Sequence, residues 1–213
     1  MNTPIGLFGG TFNPVHHGHL RSALDICQAL SLDKVTLIPN FISPHKQHGQ
    51  VDPTHRLTML ELATKNCQQL DISDIEINSP TTSYTVDTIM HFRKAYPTHP
   101  LCFLMGMDSF TNFTTWHRWE DILKHCHLIV SQRPGYQIDT QCDELTLLER
   151  HETKNIDDLR RSLGGTIYVH HAFPLAISSS QMRQAIRENQ SITFLTPPTV
   201  EAYITRNQLY LAN

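Results

Sequence analysis

His16 and His19 stand three residues apart in the run Gly9-Gly10-Thr11-Phe12-Asn13-Pro14-Val15-His16-His17-Gly18-His19. Imidazole N–H groups donate to phosphate oxygens, and a helix amino terminus adds partial positive charge at the same place. Gly18 between the rings has no Cβ, so a nucleotide can lie against the backbone there. Such an arrangement suits the transition state of a phosphate-transfer reaction. The turn lacks both the phosphate-loop pattern ending in Gly-Lys-Ser/Thr and the Gly-x-Gly-x-x-Gly dinucleotide pattern.

A second basic and hydroxyl-rich cluster occurs far along the chain, in Ile177-Ser178-Ser179-Ser180-Gln181-Met182-Arg183. Serine is a good helix N-cap, and Arg183 falls one turn past Ser180, so hydroxyl, guanidinium and free N–H groups could surround one phosphate. Single candidates lie between these clusters. Pro44-His45-Lys46 offers an ammonium on a polar loop, Gly106-x-Asp108 follows an apolar run, and Tyr84, Thr85, Trp116 and His117 place aromatic and polar groups at element ends. Arg133 begins an Arg-Pro-Gly turn.

These residues need a scaffold. Short apolar runs at 5–8, 35–38, 72–77, 101–105, 127–130 and 167–169 alternate with helical stripes such as Leu20, Ala23, Leu24, Cys27 and Leu30. The alternation predicts an α/β fold: a Rossmann-like open, mostly parallel sheet with helices on both faces and a C-terminal helical extension. Asp52-Pro53 reads as a helix start, Val86, Ile89 and Met90 as one apolar face, and Pro197-Pro198 as the entry to a last helix. Residues 138–163 are expected to be helical in part. Ligands of such sheets bind beyond the carboxyl ends of the strands, where the candidate residues fall. The 213 residues fit one domain, with a nucleotide-binding core over about 1–135 and a C-terminal part over about 136–213 carrying the Ser-Ser-Gln-Met-Arg segment.

Composition excludes several classes. A net charge of −3 argues against a broad nucleic-acid footprint. No apolar run approaches the roughly 18 residues of a membrane span, and the first residues lack a secretory signal pattern, so a cytoplasmic protein is expected. Five scattered cysteines without a C-x-x-C pair suggest buried thiols rather than disulfides or a zinc site. Neither His125-Cys126-His127 nor His170-His171 matches a metal-ligand template, and no metal site is expected.

The turn at 9–19 resembles the signature of the HxGH nucleotidyltransferase superfamily. With 44–46, Ser83-Tyr84-Thr85, 106–109, Thr115-Trp116, 133–135 and 177–183, nearly the whole chain resembles the bacterial nicotinate-nucleotide adenylyltransferases. Asn13 stands where family members often carry aspartate, and Ser180 where they carry threonine; both keep the needed polar group.

The resemblance implies transfer of the adenylyl group of ATP to nicotinate mononucleotide, giving nicotinate adenine dinucleotide and pyrophosphate, with Mg²⁺ carried by ATP. It implies that His16, His19, Lys46 and Arg183 act on the phosphates. ATP would be bound by Gly9, Gly10, Thr11, Phe12, Gly18, Gly106, Asp108, Ser179 and Ser180. Tyr84, Thr85, Trp116, His117, His45 and Arg133 would receive the acceptor. Transfer to nicotinamide mononucleotide or phosphopantetheine, and an ATP-sensing module without turnover, are the alternatives. The partners expected are these small molecules, with no nucleic acid or membrane; assembly into a homo-oligomer is left open.

Overall fold

A computed structural model describes residues 2–41, 51–79, 84–132, 143–171 and 175–211. Seven strands form one sheet in the order β3-β2-β1-β4-β5-β7-β6. They are β1 (Ile5–Gly10), β2 (Val35–Pro39), β3 (Leu70–Ile72), β4 (Leu101–Gly106), β5 (His127–Gln132), β6 (Glu152–Thr153) and β7 (Ile167–His171). All six ladders are parallel. From β1 the chain builds outward through β2 and β3, then returns to place β4 on the other flank of β1. The β1–β4 boundary is therefore the topological switch point, where a crevice opens beyond the strand ends.

Strand alternation divides the core between the two faces. Val35, Leu37, Cys102, Leu104 and Ile129 join helices α1 (His17–Ala29), α2 (Pro53–Thr64), α7 (Ser179–Arg187) and α8 (Pro198–Arg206) through Ala23, Ile26, Met59, Leu60, Met182, Val200 and Ile204. Ile5, Leu7, Ile38, Leu101, Phe103, Met105, Leu128 and Val130 face the opposite layer. That layer is α3 (Thr85–Ala95), α4 (Met107–Phe110), α5 (Trp119–His125) and α6 (Asp143–His151). The two C-terminal helices thus complete the layer begun by α1 and α2.

Local chemistry sets several boundaries. Asp52 caps α2 by accepting from the Thr54 N–H at 2.8 Å, with Pro53 at the first helical position. The expected strand over 72–77 is shorter and earlier: β3 stops at Ile72, and the following residues turn. Met90 is 40% exposed rather than part of the apolar face of α3, which is Val86, Ile89 and Phe92. Of the histidine pairs, His170 Nε2 lies 2.8 Å from an Asp25 carboxylate oxygen and His127 Nε2 lies 3.1 Å from the Ser162 carbonyl. No helix among the described residues is long and apolar enough to cross a membrane.

Candidate active site

β1 ends at Gly10, and the chain turns through Thr11–Val15 before α1 begins at His17. Phe12 makes the turn with φ +47°, folding its ring back over Gly10, where an added Cβ would lie 2.9 Å from the Phe12 ring. Glycine is therefore required at position 10 by close approach.

His16 is the N-cap of α1. Its Nδ1 accepts from the His19 N–H at 3.3 Å, which satisfies one of the helix's free donors. An accepting Nδ1 leaves the proton of neutral His16 on Nε2, as a donor. The His16 and His19 rings stack with centroids 3.6 Å apart and planes 22° apart. The edges of Phe12 and Phe8 flank His19.

This geometry corrects the first reading of Gly18. The two rings lie against each other, so no nucleotide lies between them. The space a Cβ of residue 18 would fill is taken by the His16 ring, with Nδ1 at 2.9 Å and Cε1 at 3.0 Å. Gly18 admits its neighbour's side chain.

The distant serine-arginine segment meets this turn directly. Ser178 caps α7 by accepting from the Gln181 N–H at 3.2 Å. Ser179 Oγ donates to the Pro14 carbonyl at 2.9 Å, and Arg183 donates to the Asn13 carbonyl at 2.7 Å and to Ser180 Oγ at 3.3 Å. A cavity of about 760 Å³ opens between the two clusters. Every candidate phosphate or ATP ligand within the described residues lines it: Gly9 to Phe12, His16, Gly18, His19, Gly106, Asp108, Ser179, Ser180 and Arg183. His19 and Arg183 thus open onto one space.

The remaining candidates form a separate group on the opposite layer. The rings of Tyr84 and His117 lie 4.6 Å apart, and Trp116 packs edge-on to Phe103 at 6.2 Å and tilted against Phe113 at 5.6 Å. None of Tyr84, Thr85, Trp116 and His117 lines the 760 Å³ cavity. Phe103 connects the groups, because its ring also lies 3.5 Å from where a Cβ on Gly9 would stand. His45, Lys46 and Arg133 fall outside the described residues.

Two buried charged residues of the site were absent from the sequence reading. Glu144, 4% exposed in the first turn of α6, accepts from the Thr114 N–H at 3.0 Å and hydroxyl at 2.7 Å, which fixes the single 3₁₀ turn Phe113–Thr115 just before Trp116. Arg56, with no exposed surface, donates to the Thr11 carbonyl of the glycine turn at 2.8 Å. Its signal in the sequence was position: Arg56 sits three and four residues before the core residues Met59 and Leu60, on the inward face of α2. Among the described residues no three His, Cys, Asp or Glu side chains gather as metal ligands.

Comparison with known proteins is consistent across the chain's length. The profile of the family described as "Cytidylyltransferase-like" matches residues 7–185. The "Probable nicotinate-nucleotide adenylyltransferase" of Aeromonas salmonicida is 41% identical over 213 residues, covering 100% of both chains. That of Psychromonas ingrahamii is 42% identical over 206 residues, covering 97% of this chain and 96% of the relative. Among solved structures, Plasmodium falciparum nicotinic acid mononucleotide adenylyltransferase complexed with NaAD superposes with a TM-score of 0.76 over 98% of each chain at 18% identity, which speaks to fold.

Proposed function

From the chain's membership of the cytidylyltransferase-like family, to which it belongs together with its nicotinate-nucleotide adenylyltransferase relatives, we propose that it joins the adenylyl group of ATP to nicotinate mononucleotide. The observation that carries the site assignment is convergence: the stacked His16–His19 pair and the Ser179-Ser180-Arg183 end of α7 line one cavity at the β1–β4 switch point.

In this reading the 5′-phosphate of nicotinate mononucleotide attacks the α-phosphorus of ATP. A phosphate oxygen forms the new P–O bond, the bond from Pα to the bridging oxygen breaks, and pyrophosphate leaves with its electron pair. The attacking phosphate is already largely ionised near neutrality, so the protein supplies no strong base. No covalent protein intermediate is needed. Burial also raises the pKa of the Cys102 thiol to about 12, removing it as a nucleophile.

Catalysis then rests on alignment and charge stabilisation. His16 and His19 donate to the phosphate undergoing transfer, where the α1 amino terminus adds its partial charge. Ser179, Ser180 and the Arg183 N–H groups not spent on Asn13 and Ser180 hold the leaving pyrophosphate, with Lys46 assigned beside them. Gly9 to Phe12, Gly106 and Asp108 receive the rest of the nucleotide. Mg²⁺ enters as part of the nucleotide substrate, held by phosphates and water. Tyr84, Thr85, Trp116 and His117 receive the pyridine ring and its carboxylate, with His45 and Arg133 assigned to the same acceptor.

The test is pyrophosphate release from ATP with nicotinate mononucleotide, nicotinamide mononucleotide and phosphopantetheine in parallel. The reading expects the highest kcat/KM with nicotinate mononucleotide. A higher value with either other acceptor, or tight ATP binding with no release from any of them, overturns it.

A further inference from the structure

Arg56 is the only Lys, Arg, Asp or Glu among the described residues with no exposed surface, and the mechanism does not use it. Its Nη1 donates to the Thr11 carbonyl at 2.8 Å and to Asn40 Oδ1 at 3.3 Å; its Nη2 donates to the Asn40 carbonyl at 2.6 Å and the Phe41 carbonyl at 3.0 Å. Nε has no partner among the described residues. Every acceptor is neutral. The acidic residue nearest in sequence, Asp52, is exposed and bonded to Thr54, and residues 42–50 contain no Asp or Glu. Burial pulls the Arg56 pKa down from the usual arginine value, and the charges of Tyr210 and Asp52 offset this only in part. A buried charge left in this condition is strongly unfavourable unless something else compensates it.

One of the carbonyls it gathers, that of Thr11, belongs to a residue lining the nucleotide cavity. Thr11 is in the cavity-lining turn, and Asn40 is bonded to that turn through its N–H to the Gly10 carbonyl at 3.1 Å. Phe41 directly precedes the segment that carries His45 and Lys46. Arg56 itself does not line the cavity. In a trans peptide the N–H points opposite to the C=O, so a Thr11 carbonyl drawn toward Arg56 directs the Phe12 N–H the other way. Carbonyl oxygens facing a polyphosphate would repel it; carbonyls collected behind the turn do not.

We propose that Arg56 is a positioning residue for the polyphosphate of ATP: its fork collects the carbonyls of Thr11, Asn40 and Phe41 behind the glycine turn, and the bound polyanion adds to the counter-charge around it. The inference rests on the nucleotide reading of the cavity but not on the identity of the acceptor. It differs from a purely structural role in that substitution must weaken the nucleotide half of the reaction selectively.

The experiment measures binding of ATP and of inorganic tripolyphosphate by calorimetry, with thermal melts of the free proteins. Arg56→Lys keeps the charge but not the fork, and Arg56→Gln keeps donors but not the charge. Both are expected to lose about tenfold or more in affinity for ATP and tripolyphosphate, while the acceptor KM stays within about twofold. Leu60→Ala on the same helix, a core substitution, is expected to lower Tm and leave ATP affinity unchanged. Asn40→Asp gives Arg56 a carboxylate on the spot, so its free Tm rises and its tripolyphosphate affinity falls. This last variant decides the matter if the Arg56 variants do not fold.

Folded Arg56 variants that bind ATP within twofold of the parent chain overturn the proposal. So does Asn40→Asp with a lowered Tm and unchanged affinity, and so does a parent chain that binds no tripolyphosphate. A parent chain that binds ATP but converts no acceptor sinks the proposed reaction and leaves these affinities to decide the role of Arg56.

Discussion

Gly18→Ala isolates the contribution of the histidine stack from that of the fold. The added Cβ would stand 2.9 Å from His16 Nδ1, 3.0 Å from Cε1 and 3.4 Å from the Ile177 carbonyl oxygen. Relaxed contacts of this kind are about 3.5–4.0 Å, so the His16 ring must move by roughly 0.5–1 Å. It cannot do so without consequence, being 4% exposed, stacked at 3.6 Å on His19 and bonded to the His19 N–H. Weakening that cap costs about 1 kcal/mol. Alanine in place of glycine within a helix returns up to about 1 kcal/mol. Stability is therefore nearly unchanged, with Tm moving by no more than roughly 4 °C in a chain of this size. Activity is a different matter, because a misplacement near 1 Å in the reacting geometry costs up to about 10²-fold in rate. The expected outcome is a kcat roughly 10- to 100-fold lower in the pyrophosphate-release assay, with an acceptor KM close to that of the parent chain. A Gly18→Ala protein with parental kcat would refute the claim that the stack aligns the phosphate. A Tm loss above about 10 °C would refute the balance of cap and propensity.

Three further outcomes are expected. His19→Ala removes a donor without filling space, so kcat falls by about 10²–10³-fold while circular dichroism and Tm stay near parental values. Glu144→Ala leaves the Thr114 N–H and hydroxyl without their acceptor, which costs about 1.5–3 kcal/mol in a denaturant melt; the loosened turn before Trp116 raises the acceptor KM and not that of ATP, and Glu144→Gln recovers part of both losses. His127 is fully buried, and burial lowers its pKa below the unfolded value of 6.5. The unfolded chain therefore binds the proton first, so this contribution to stability is complete above pH 6.5 and is lost as pH falls through the folded pKa, at no more than about 1.4 kcal/mol per pH unit. His127→Gln should flatten the Tm profile below pH 6.5, and a parallel decline in both proteins would assign the loss to other groups.

What the sequence disclosed about this site follows from what kinds of pattern are local. The cap at Asp52, the turn at Gly9–Gly10 and the serine start of α7 are decided by residues within a few positions of each other, and the structure places them accordingly. Strands covered on both faces announce themselves as unbroken apolar runs, which Leu101 to Met105 displays and the turning residues after Ile72 do not. β6 is only Glu152–Thr153, held by pairing with Ile167 and Tyr168, and a ladder of that length has no sequence period. Arg56 and Glu144 escaped for a different reason. Polarity assigns a charged side chain to solvent by default, and only the tertiary fold reveals that the carbonyls of 11, 40 and 41, or the N–H of 114, require a buried partner.

The same requirement explains why the C-terminal helices cannot be treated as an appendage. A turn that leaves β1 for α1 has no ladder for its own backbone groups, and buried carbonyls must find donors elsewhere. Here they come from residues more than 160 positions away: Arg183 serves the Asn13 carbonyl, Ser179 the Pro14 carbonyl and Thr196 the Val15 carbonyl. Tyr210 donates to the Asn13 side chain, and the His17 N–H is accepted by the Leu195 carbonyl. The Ser179 and Arg183 bonds that satisfy the turn also fix α7 against it, so the spacing between the histidine pair and the Ser180–Arg183 pair is set before any nucleotide arrives. Fixed donors that need no rearrangement at the moment of reaction are what charge stabilisation in phosphate transfer demands. Arg183 consequently does two things at once, closing the turn through Nη1 while sharing Nη2 with Ser180 at the cavity wall. Its replacement would disturb the alignment of His16 as well as the hold on pyrophosphate, and a loss of rate in an Arg183 variant therefore cannot be divided between the two without the Gly18→Ala measurement beside it.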